Sequence, residues 1–425
     1  MKHKILILSI IFCLLPITAF SSDWTPMSSG TTESLLSVWG SAGSDVFAVG
    51  YNGTILHYDG SSWSSMLSGT ANDLNGIWGV SGSNVFAVGK NGTILHYNGS
   101  TWSSMASGTT YWLQDIWGSS ATDVFAVGYR SLYPYYSTIF HYNGNTWDAM
   151  HNTTLVPLAV WGSSGSDVFA VGWSNTGYPY NDTIYHYNGS IWSAMYAPTT
   201  ESIYDVWGSS SNNVFAVGWD GTILHYNGST WSSMASPVAV EVEVLSGIWG
   251  SSATDVFAVG TGLSPYHSGI IFHYNGKEWS SMTSNTTKYL TDVWGSSGSN
   301  VFAVGGSGTI LHYSGASTVI ELSSFTATPK AGNVIIQWST ESEIDNVGFN
   351  LYRAETEGGN YIKLNTSLIP AQGASIEGAS YEFIDTEVQN RKTYYYKLED
   401  LDLNGASTYH GPVKATPRLI YGLGK

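Results

Sequence analysis

The chain has 425 residues, a formal net charge of −16 and a single cysteine, Cys13. One cysteine excludes a disulfide framework and a zinc site made of thiolates. Acidic residues outnumber basic ones and only 11% of residues are charged, so the clustered Lys and Arg that bind nucleic acid or an anionic membrane are missing. We therefore expect neither nucleic acid nor a membrane among the partners.

Residues 1–21 have the features of a secretory signal peptide. Lys2 and Lys4 precede an apolar run over residues 5–15, and Ala-Phe-Ser at residues 19–21 is typical of a cleavage site. The apolar run is too short to span a bilayer. The sequence therefore predicts export through the Sec route to the extracellular space, the cell surface or the periplasm.

Residues 22–315 repeat one pattern seven times. The copy from Leu74 to Met105 shows it most clearly: LNGIWGVSGSNVFAVGKNGTILHYNGSTWSSM. Each copy contains short runs of β-branched and aromatic residues separated by Gly, Asn and Ser, which predicts four strands, named A to D in chain order. The Trp-Gly steps recur every 39 to 46 residues, and four-stranded units with this period are typical of β-propeller blades.

The ends of the repeat region predict how the ring closes. The D-strand tryptophan first occurs at Trp24, before any A strand, and the last copy stops at Gly315 without a D strand. We therefore predict a seven-bladed β-propeller in which Trp24 to Met27 supplies the outer strand of the last blade. Within each blade, Asn98-Gly99 and its equivalents predict a type I′ hairpin turn between strands C and D.

One histidine per copy indicates a structural role, because a catalytic or metal site needs its residues at one place. We expect each histidine to hydrogen-bond the Asp or Asn before Val-Phe-Ala-Val-Gly, in a network similar to that of WD40 blades. The Trp-Gly tryptophans are expected in the core. The expected pairs are His57 with Asp45, His96 with Asn84, His141 with Asp123, His186 with Asp167, His225 with Asn213, His273 with Asp255 and His312 with Asn300.

The copies differ mainly in two sets of loops. From the Gly of Val-Phe-Ala-Val-Gly to the His, the B–C connection is 7 residues in four copies and 13 or 14 in the third, fourth and sixth. The D–A connections vary in composition. In an up-and-down blade both sets lie on the same face of the disc, and a rigid scaffold with variable loops is typical of a binding surface. We call this face the variable face.

Aromatic residues dominate the long loops and predict the ligand contacts, since their rings give apolar area with a polar tip. The alternative is that Tyr and Pro only stiffen these loops. We expect a notch over the fifth blade, floored by Trp173 and Trp219. The candidate ligand-binding residues are Tyr133, Tyr135, Tyr136, Trp173, Tyr178, Tyr180, Trp219, Asp220, Tyr266 and His267.

Three carboxylates, Asp115, Asp205 and Asp292, stand two residues before a Trp-Gly step. They are candidates for a Ca²⁺ site in the central channel, and the favoured interpretation is that they are polar residues facing channel water. No catalytic motif is present, so we expect no enzyme activity, no metal and no cofactor. The carboxylates Asp182, Glu201 and Asp220 keep a polysaccharide hydrolase or lyase open as an alternative.

Residues 316–416 lose the period and contain about seven strand-like runs, which predicts a β-sandwich. Trp338 in the second strand and the Tyr394 to Leu398 run resemble the fibronectin type III family, whose tyrosine corner this run matches in position. The resemblance implies a spacer or adhesion module without an active site. Residues 417–425 form a C-terminal tail with no assigned role.

The repeat region resembles the uncharacterised secreted bacterial propellers built from WGSS…DVFAVG…GTILHYNG…W repeats. That family implies the fold and no particular activity. We therefore expect a monomeric secreted or cell-surface binding protein that recognises an extracellular glycan or protein through the variable face. A purely structural surface protein is the remaining alternative, and the identity of the ligand stays open.

Overall fold

The computed structural model describes residues 24–130, 136–153, 155–174, 184–237, 242–263, 267–314, 322–340, 343, 346–372, 378–402 and 407–418. This part of the chain is all-β, with four-stranded antiparallel sheets formed by the repeats and a separate pair of sheets after them. We number the sheets of the repeats 1 to 7, in chain order of their first strands.

Strand β1 (Thr25–Met27) precedes the repeats. Sheet 1 contains β2 (Leu35–Ala42), β3 (Asp45–Gly50), β4 (Ile55–Tyr58) and β5 (Trp63–Met66). Sheet 2 contains β6 (Leu74–Ser81), β7 (Asn84–Gly89), β8 (Ile94–Tyr97) and β9 (Trp102–Met105). Sheet 3 contains β10 (Trp112–Ser120), β11 (Asp123–Tyr129), β12 (Ser137–Tyr142) and β13 (Trp147–Thr153).

Sheet 4 contains β14 (Leu155–Ser164), β15 (Asp167–Ser174), β16 (Ile184–Tyr187) and β17 (Trp192–Met195). Sheet 5 contains β18 (Ile203–Ser210), β19 (Asn213–Gly218), β20 (Ile223–Tyr226) and β21 (Trp231–Ser233). Sheet 6 contains β22 (Val242–Ser252), β23 (Asp255–Gly262), β24 (Gly269–Tyr274) and β25 (Trp279–Met282). Sheet 7 contains β26 (Leu290–Ser297), β27 (Asn300–Gly305) and β28 (Ile310–Tyr313), with β1 as its fourth strand.

The sheets form a closed ring, as the first strand of each sheet packs against the first strand of the next and β26 packs against β2. Strand β1 pairs antiparallel with β28, with Thr25 opposite His312 and Met27 opposite Ile310. This pairing confirms the prediction that the N-terminal strand supplies the outer strand of the last sheet. The Trp24 side chain is fully buried and lies edge-on to Phe257 of sheet 6, with ring centroids 6.1 Å apart.

The core of the ring lies between neighbouring sheets because both faces of each sheet are apolar. The apolar residues of the Val-Phe-Ala-Val-Gly strand are buried in every copy. At the closing interface, Leu35, Val46 and Trp63 of sheet 1 pack with Phe302 and Val304 of sheet 7. A single sheet would expose both faces to water, so we infer that the sheets are stable only when stacked.

The Trp-Gly tryptophans pack against the core clusters, as predicted, but they are only half-buried and lie at the border of the core. The D-strand tryptophans are buried within it. Each Trp-Gly ring lies against the Trp-Gly glycine of the following sheet. A Cβ on Gly79 would lie 2.8 Å from the Trp39 ring, and one on Gly40 would lie 2.6 Å from the Trp294 ring. The dipeptide therefore joins neighbouring sheets, which a side chain on the glycine would prevent.

The C–D hairpin is confirmed, but the predicted turn type is wrong. Residues 98–101 connect β8 to β9, and of the residues Asn98 and Gly99 only Gly99 has a positive φ, of 89°. The Asn98 side chain accepts hydrogen bonds from the backbone N–H groups of Ser100 and Thr101 at 2.9 and 3.0 Å. The asparagine thus serves an Asx turn, in which one side chain satisfies two backbone donors.

The residues after the ring form two packed sheets. Their strands are β29 (Leu322–Pro329), β30 (Val334–Thr340), β31 (Asn346–Ala354), β32 (Ile362–Lys363), β33 (Ile369–Pro370), β34 (Ser380–Asp385), β35 (Tyr394–Asp402) and β36 (Ser407–Ala415). One sheet has the order β29-β30-β34 and the other β32-β31-β35-β36, with β33 paired to β31. Trp338 stacks on Tyr381 in their shared core, with ring centroids 5.0 Å apart.

Within the described residues, no helix is long and apolar enough to cross a membrane.

Candidate functional site on the loop-variable face

The face opposite the variable face, which carries the A–B and C–D turns, repeats one polar network. Each histidine Nε2 lies 2.5 to 2.8 Å from an oxygen of the expected Asp or Asn, which confirms all seven pairs. A serine often contacts the other side of that group: Ser163 donates to Asp167 at 2.5 Å, whereas Asn213 donates to Ser209 at 2.7 Å. The Asp or Asn lies between Ser and His, so the histidine is not placed to activate the serine as a nucleophile.

The short B–C turns of the variable face share one backbone. Their second residue is left-handed, with φ of 54° at Asn52, 56° at Asn91, 53° at Asp220 and 56° at Ser307. Asn and Asp tolerate this region better than most other residues. The first residue of each turn is not constrained in this way and differs in every copy. These first residues are Tyr51, Lys90, Trp219 and Gly306.

The structure brings three of the predicted ligand residues together over sheets 5 and 6. The backbone N–H of Asp220 donates to the carbonyl of Glu243 at 2.9 Å, and Trp219 forms a backbone bridge with Val244. The Nδ1 atom of His267 lies 2.9 Å from Oε2 of Glu243. The Trp219 ring is 42% exposed, so an aromatic surface lies beside a carboxylate and a His–Glu pair.

A second group of aromatic and charged side chains lies over sheets 2 and 3. Lys90 pairs with Asp73 at 2.6 Å and lies 4.6 Å from the centroid of the Trp112 ring. Arg130 lies 6.0 Å from the centroid of the ring of Tyr136, a residue that is 54% exposed. Of the predicted residues, this group contains only Tyr136.

The remaining predicted ligand residues divide into two groups. Trp173 is half-buried within β15, opposite Val156. Five tyrosines lie outside the described residues, so the predicted notch stays a prediction; they are Tyr133, Tyr135, Tyr178, Tyr180 and Tyr266.

A cavity of about 310 Å³ lies at the variable-face end of the central channel, lined by the first strands of all seven sheets. Each of these strands has an irregularity in its register at the same place, so that one residue is left out of the pairing. Bulges of this kind redirect a side chain out of the ladder. All seven bulged residues line the cavity; they are Leu36, Asn75, Gln114, Leu158, Tyr204, Ser246 and Thr291.

The three channel aspartates follow a bulged residue and connect neighbouring sheets. Asp115 accepts the backbone N–H of Val160 at 2.9 Å, and Asp205 accepts that of Ile248 at 2.7 Å. Asp292 accepts the N–H of Val38 at 2.9 Å and the hydroxyl of Ser37 at 2.8 Å. The aspartates were expected only to face channel water. These hydrogen bonds show that they also connect neighbouring sheets.

Desolvation by the surrounding ring raises the pKa of Asp115 to about 7 and that of Asp292 to about 6, although both side chains retain some solvent access. The pKa of Asp205 is raised well above its usual value by the same burial and by the charges of Asp292 and Asp115. Among the described residues, no group of three or more His, Asp or Glu side chains has the spacing of a metal site. The hydrogen bonds described above make each carboxylate a link between two sheets.

Sequence reasoning missed Glu243, Tyr204 and the other bulged positions. Burial and the charge of Glu243 raise the pKa of Tyr204, which places that carboxylate close enough to the cavity to influence it. The sequence does mark the bulged positions in one way: the third residue before each Trp-Gly step is of six different types among the seven copies. Only the register shows that this position points into the channel.

Solved structures support the propeller arrangement, and no family model matches the chain. YCF48 bound to D1 peptide is 16% identical with a TM-score of 0.53, covering 68% of this chain and 94% of that chain. YCF48 from Cyanidioschyzon merolae is 13% identical with a TM-score of 0.53, covering 68% and 98%. The WD40 β-propeller domain of Doa1 is 12% identical with a TM-score of 0.53, covering 68% and 95%. At these identities the similarity shows the fold alone.

Two further similarities differ in extent. The extracellular domain of the proposed hybrid two-component system BT3049 from B. thetaiotaomicron is 8% identical with a TM-score of 0.53, and the match covers 93% of this chain but 57% of that one. An amylopullulanase from Thermoanaerobacter thermohydrosulfuricus is 29% identical over 92 residues, which is 21% of this chain and 6% of the enzyme. The chain thus spans a small fraction of that enzyme's length.

Proposed function

We propose that the protein is a secreted or cell-surface binding protein whose ring is a seven-bladed β-propeller, with a fibronectin type III-like sandwich as a spacer. The variable face and the channel mouth recognise a protein partner, and the protein catalyses no reaction on it. The sandwich assignment is supported by Tyr394, whose hydroxyl accepts the backbone N–H of Gln389 at 3.0 Å, as in a tyrosine corner.

The bulged residues carry this proposal. They occupy the same position in each of the seven copies, and the copies are otherwise nearly identical along these strands. At this position, however, the copies carry Leu, Asn, Gln, Tyr, Ser or Thr. All seven residues line one cavity. Asn75 and Thr291 also donate hydrogen bonds to backbone carbonyls of the neighbouring sheet, so the variety at the other five positions is what points to recognition. One of the similar propellers is bound to a peptide, which supports a protein or peptide partner.

An extracellular polysaccharide is the second candidate ligand. The similarity to an amylopullulanase over 92 residues favours it, and Trp219 beside Asp220 has the aromatic and polar character of a sugar site. The hydrolase alternative requires two carboxylates that flank a cleft. Asp220 and Glu201 lie on the variable face, and Asp182 lies outside the described residues.

The test compares the mature chain, residues 22–425, with two variants on peptide and glycan arrays. In the first, the three long B–C connections are cut to the seven-residue form that four copies already have, so the ring is expected to fold. In the second, Gln114→Leu and Tyr204→Ser place at two bulges residues that other sheets carry there. Loss of array binding with an unchanged melting temperature supports the proposal. Binding by neither the parent nor the variants would contradict it.

A further inference from the structure

Charge is distributed unevenly around the ring. Residues 131–276, which form most of sheets 3 to 6, contain nine Asp and Glu and no Lys or Arg. On the described variable face of this sector, the carboxylates are Glu201, Asp220 and Glu243. The basic side chains of the same face are Lys90 and Arg130, which belong to sheets 2 and 3, and the exposed Lys288, on the connection from sheet 6 to sheet 7. Three carboxylates against one lysine therefore give a partner that docks over sheets 5 and 6 a predominantly negative field.

The Trp219 ring is held on a rigid backbone within this field. The Trp219 N–H donates to the carbonyl of Ser202 at 2.9 Å, and its carbonyl accepts the N–H of Thr222 at 3.1 Å. The Asp220 N–H donates to the backbone carbonyl of Glu243, as described above. Neighbouring strands thus fix the turn on both sides while the ring remains exposed, so binding a ligand would cost little backbone entropy.

The other short turns show that this combination is specific to sheet 5. The equivalent pairs are Tyr51-Asn52, Lys90-Asn91 and Gly306-Ser307, and none of them joins an aromatic ring to a carboxylate. All four turns share the same backbone conformation, as the φ values of 53° to 56° show. The fold therefore does not require Trp219 or Asp220, and the two residues remain available for recognition.

We propose that the surface formed by Trp219, Asp220, Glu243 and His267, here called the acidic–aromatic patch, binds an arginine-containing segment of a protein partner. A guanidinium group stacks on an indole and also pairs with carboxylates, and it is less strongly hydrated than the ammonium of lysine. This inference rests on the proposed function and names its partner by chemistry. Charge complementarity selects an arginine-rich segment over an acidic or neutral one.

The first experiment measures binding of three fluorescein-labelled peptides, (Gly-Arg)4, (Gly-Lys)4 and (Gly-Glu)4, to the mature chain at low and at high salt. We expect the arginine peptide to bind most tightly, the glutamate peptide not to bind, and the affinity to fall with salt. Equal affinity for the arginine and lysine peptides would overturn the role of the Trp219 ring.

The variants use turn sequences that the ring already contains. W219Y/D220N reproduces the turn of sheet 1 and W219K/D220N that of sheet 2, so both should fold as the parent does. We expect Asp220→Asn alone to weaken binding of the arginine peptide about threefold. W219K/D220N should weaken this binding more than about tenfold. W219Y/D220N keeps an aromatic ring and should give a loss between these two.

Asp59→Asn is the matched control. It removes one negative charge from a C–D turn on the opposite face, where Asn98 occupies the same position in the next copy. An unchanged affinity in this variant supports the patch. Equal losses from Asp59→Asn and Asp220→Asn would show attraction by net charge alone and would overturn the proposal.

The array ligand separates this inference from the proposed function. If the variant with shortened loops loses its array ligand while W219K/D220N retains full affinity for it, the variable face is a binding face but the acidic–aromatic patch is not the site. If W219K/D220N loses that ligand as well and keeps its melting temperature, both proposals are supported.

Discussion

The channel aspartates show how one side chain connects two sheets. Asp115, Asp205 and Asp292 join sheet 3 to 4, sheet 5 to 6 and sheet 7 to 1 through backbone N–H groups. The preceding sheet carries a glycine beside two of them, since a Cβ on Gly76 would lie 2.8 Å from the Cα of Asp115 and one on Gly247 would lie 2.7 Å from that of Asp292. The glycine of one sheet thus leaves room for the aspartate of the next sheet.

The raised pKa values of these aspartates predict a pH dependence of stability. A carboxyl whose folded pKa lies above its unfolded value stabilises the fold at low pH, and this contribution is lost as the pH rises through the folded pKa. For Asp115 and Asp292 the loss falls between pH about 4 and about 7. We expect the free energy of unfolding of D115N/D292N to fall less over this range than that of the parent, by about 1–3 kcal/mol.

Urea unfolding across this pH range measures the difference, with Asp59→Asn as a control for charge at an exposed turn. The comparison is made between variants because burial lowers the pKa of His96, His225 and His312, which opposes the effect by favouring the fold as the pH rises. Parallel curves for the parent and the double variant would contradict the prediction.

The His–Asp network predicts which substitutions the ring tolerates. Asp123 accepts from His141 and Ser119, and Asn occupies the same position in three other copies. We therefore expect Asp123→Asn to change the free energy of unfolding by less than about 0.5 kcal/mol. Asp123→Ala leaves His141 without this partner and should cost about 1–3 kcal/mol. Chemical denaturation compares the two, and equal costs would show that the hydrogen bond is unimportant.

At the scale of one element, strand β1 closes the ring. Its neighbour Trp24 belongs to the cluster between sheets 6 and 7, and the backbone of β1 covers the outer edge of β28. No other part of the described chain pairs with that edge. A strand of three residues thus decides whether the ring has free ends.

Deletion of residues 23–31 is expected to lower the urea midpoint of the ring and expand it. Removing the Trp24 side chain alone should cost about 3–5 kcal/mol through the cavity that it leaves. Trp63→Ala is the matched control, because it removes an equivalent buried ring of sheet 1 while leaving both chain ends paired. Small-angle scattering distinguishes the two: only the deletion should increase the radius of gyration, and an unchanged radius would contradict closure by β1.

At the scale of the whole molecule, the ring and the sandwich have separate cores. The cluster around Trp338 contains residues of the sandwich only, and the seven clusters of the ring contain none of them. The sandwich has its own charged interior, where Arg353 contacts both oxygens of Asp385 at 2.8 Å and Tyr396 donates to the same carboxylate at 3.0 Å.

Separate cores predict separate unfolding. Trp338→Ala should destabilise the sandwich by about 3–5 kcal/mol and leave the melting transition of the ring in place. Differential scanning calorimetry of the full chain measures both transitions. A shift of equal size in both would show that the two parts unfold as one cooperative unit.

The sequence alone determined the features that repeat. Seven copies of one pattern reveal the strands, the His–Asp pairs and the displaced Trp24, because a residue that recurs at a fixed offset must meet the same local environment each time. The local turn around Asn98 was placed correctly for the same reason, although its side-chain hydrogen bonds, and hence its type, were not evident.

The tertiary structure decided the contacts between copies. Val160 lies 45 positions from Asp115, and Val38 lies 254 positions from Asp292, so neither partner is implied by local spacing. The same holds for Trp39 on Gly79 and for Glu243 beside Trp219. These contacts depend on how neighbouring sheets stack and on the direction of the bulged residues, and only the closed ring fixes both.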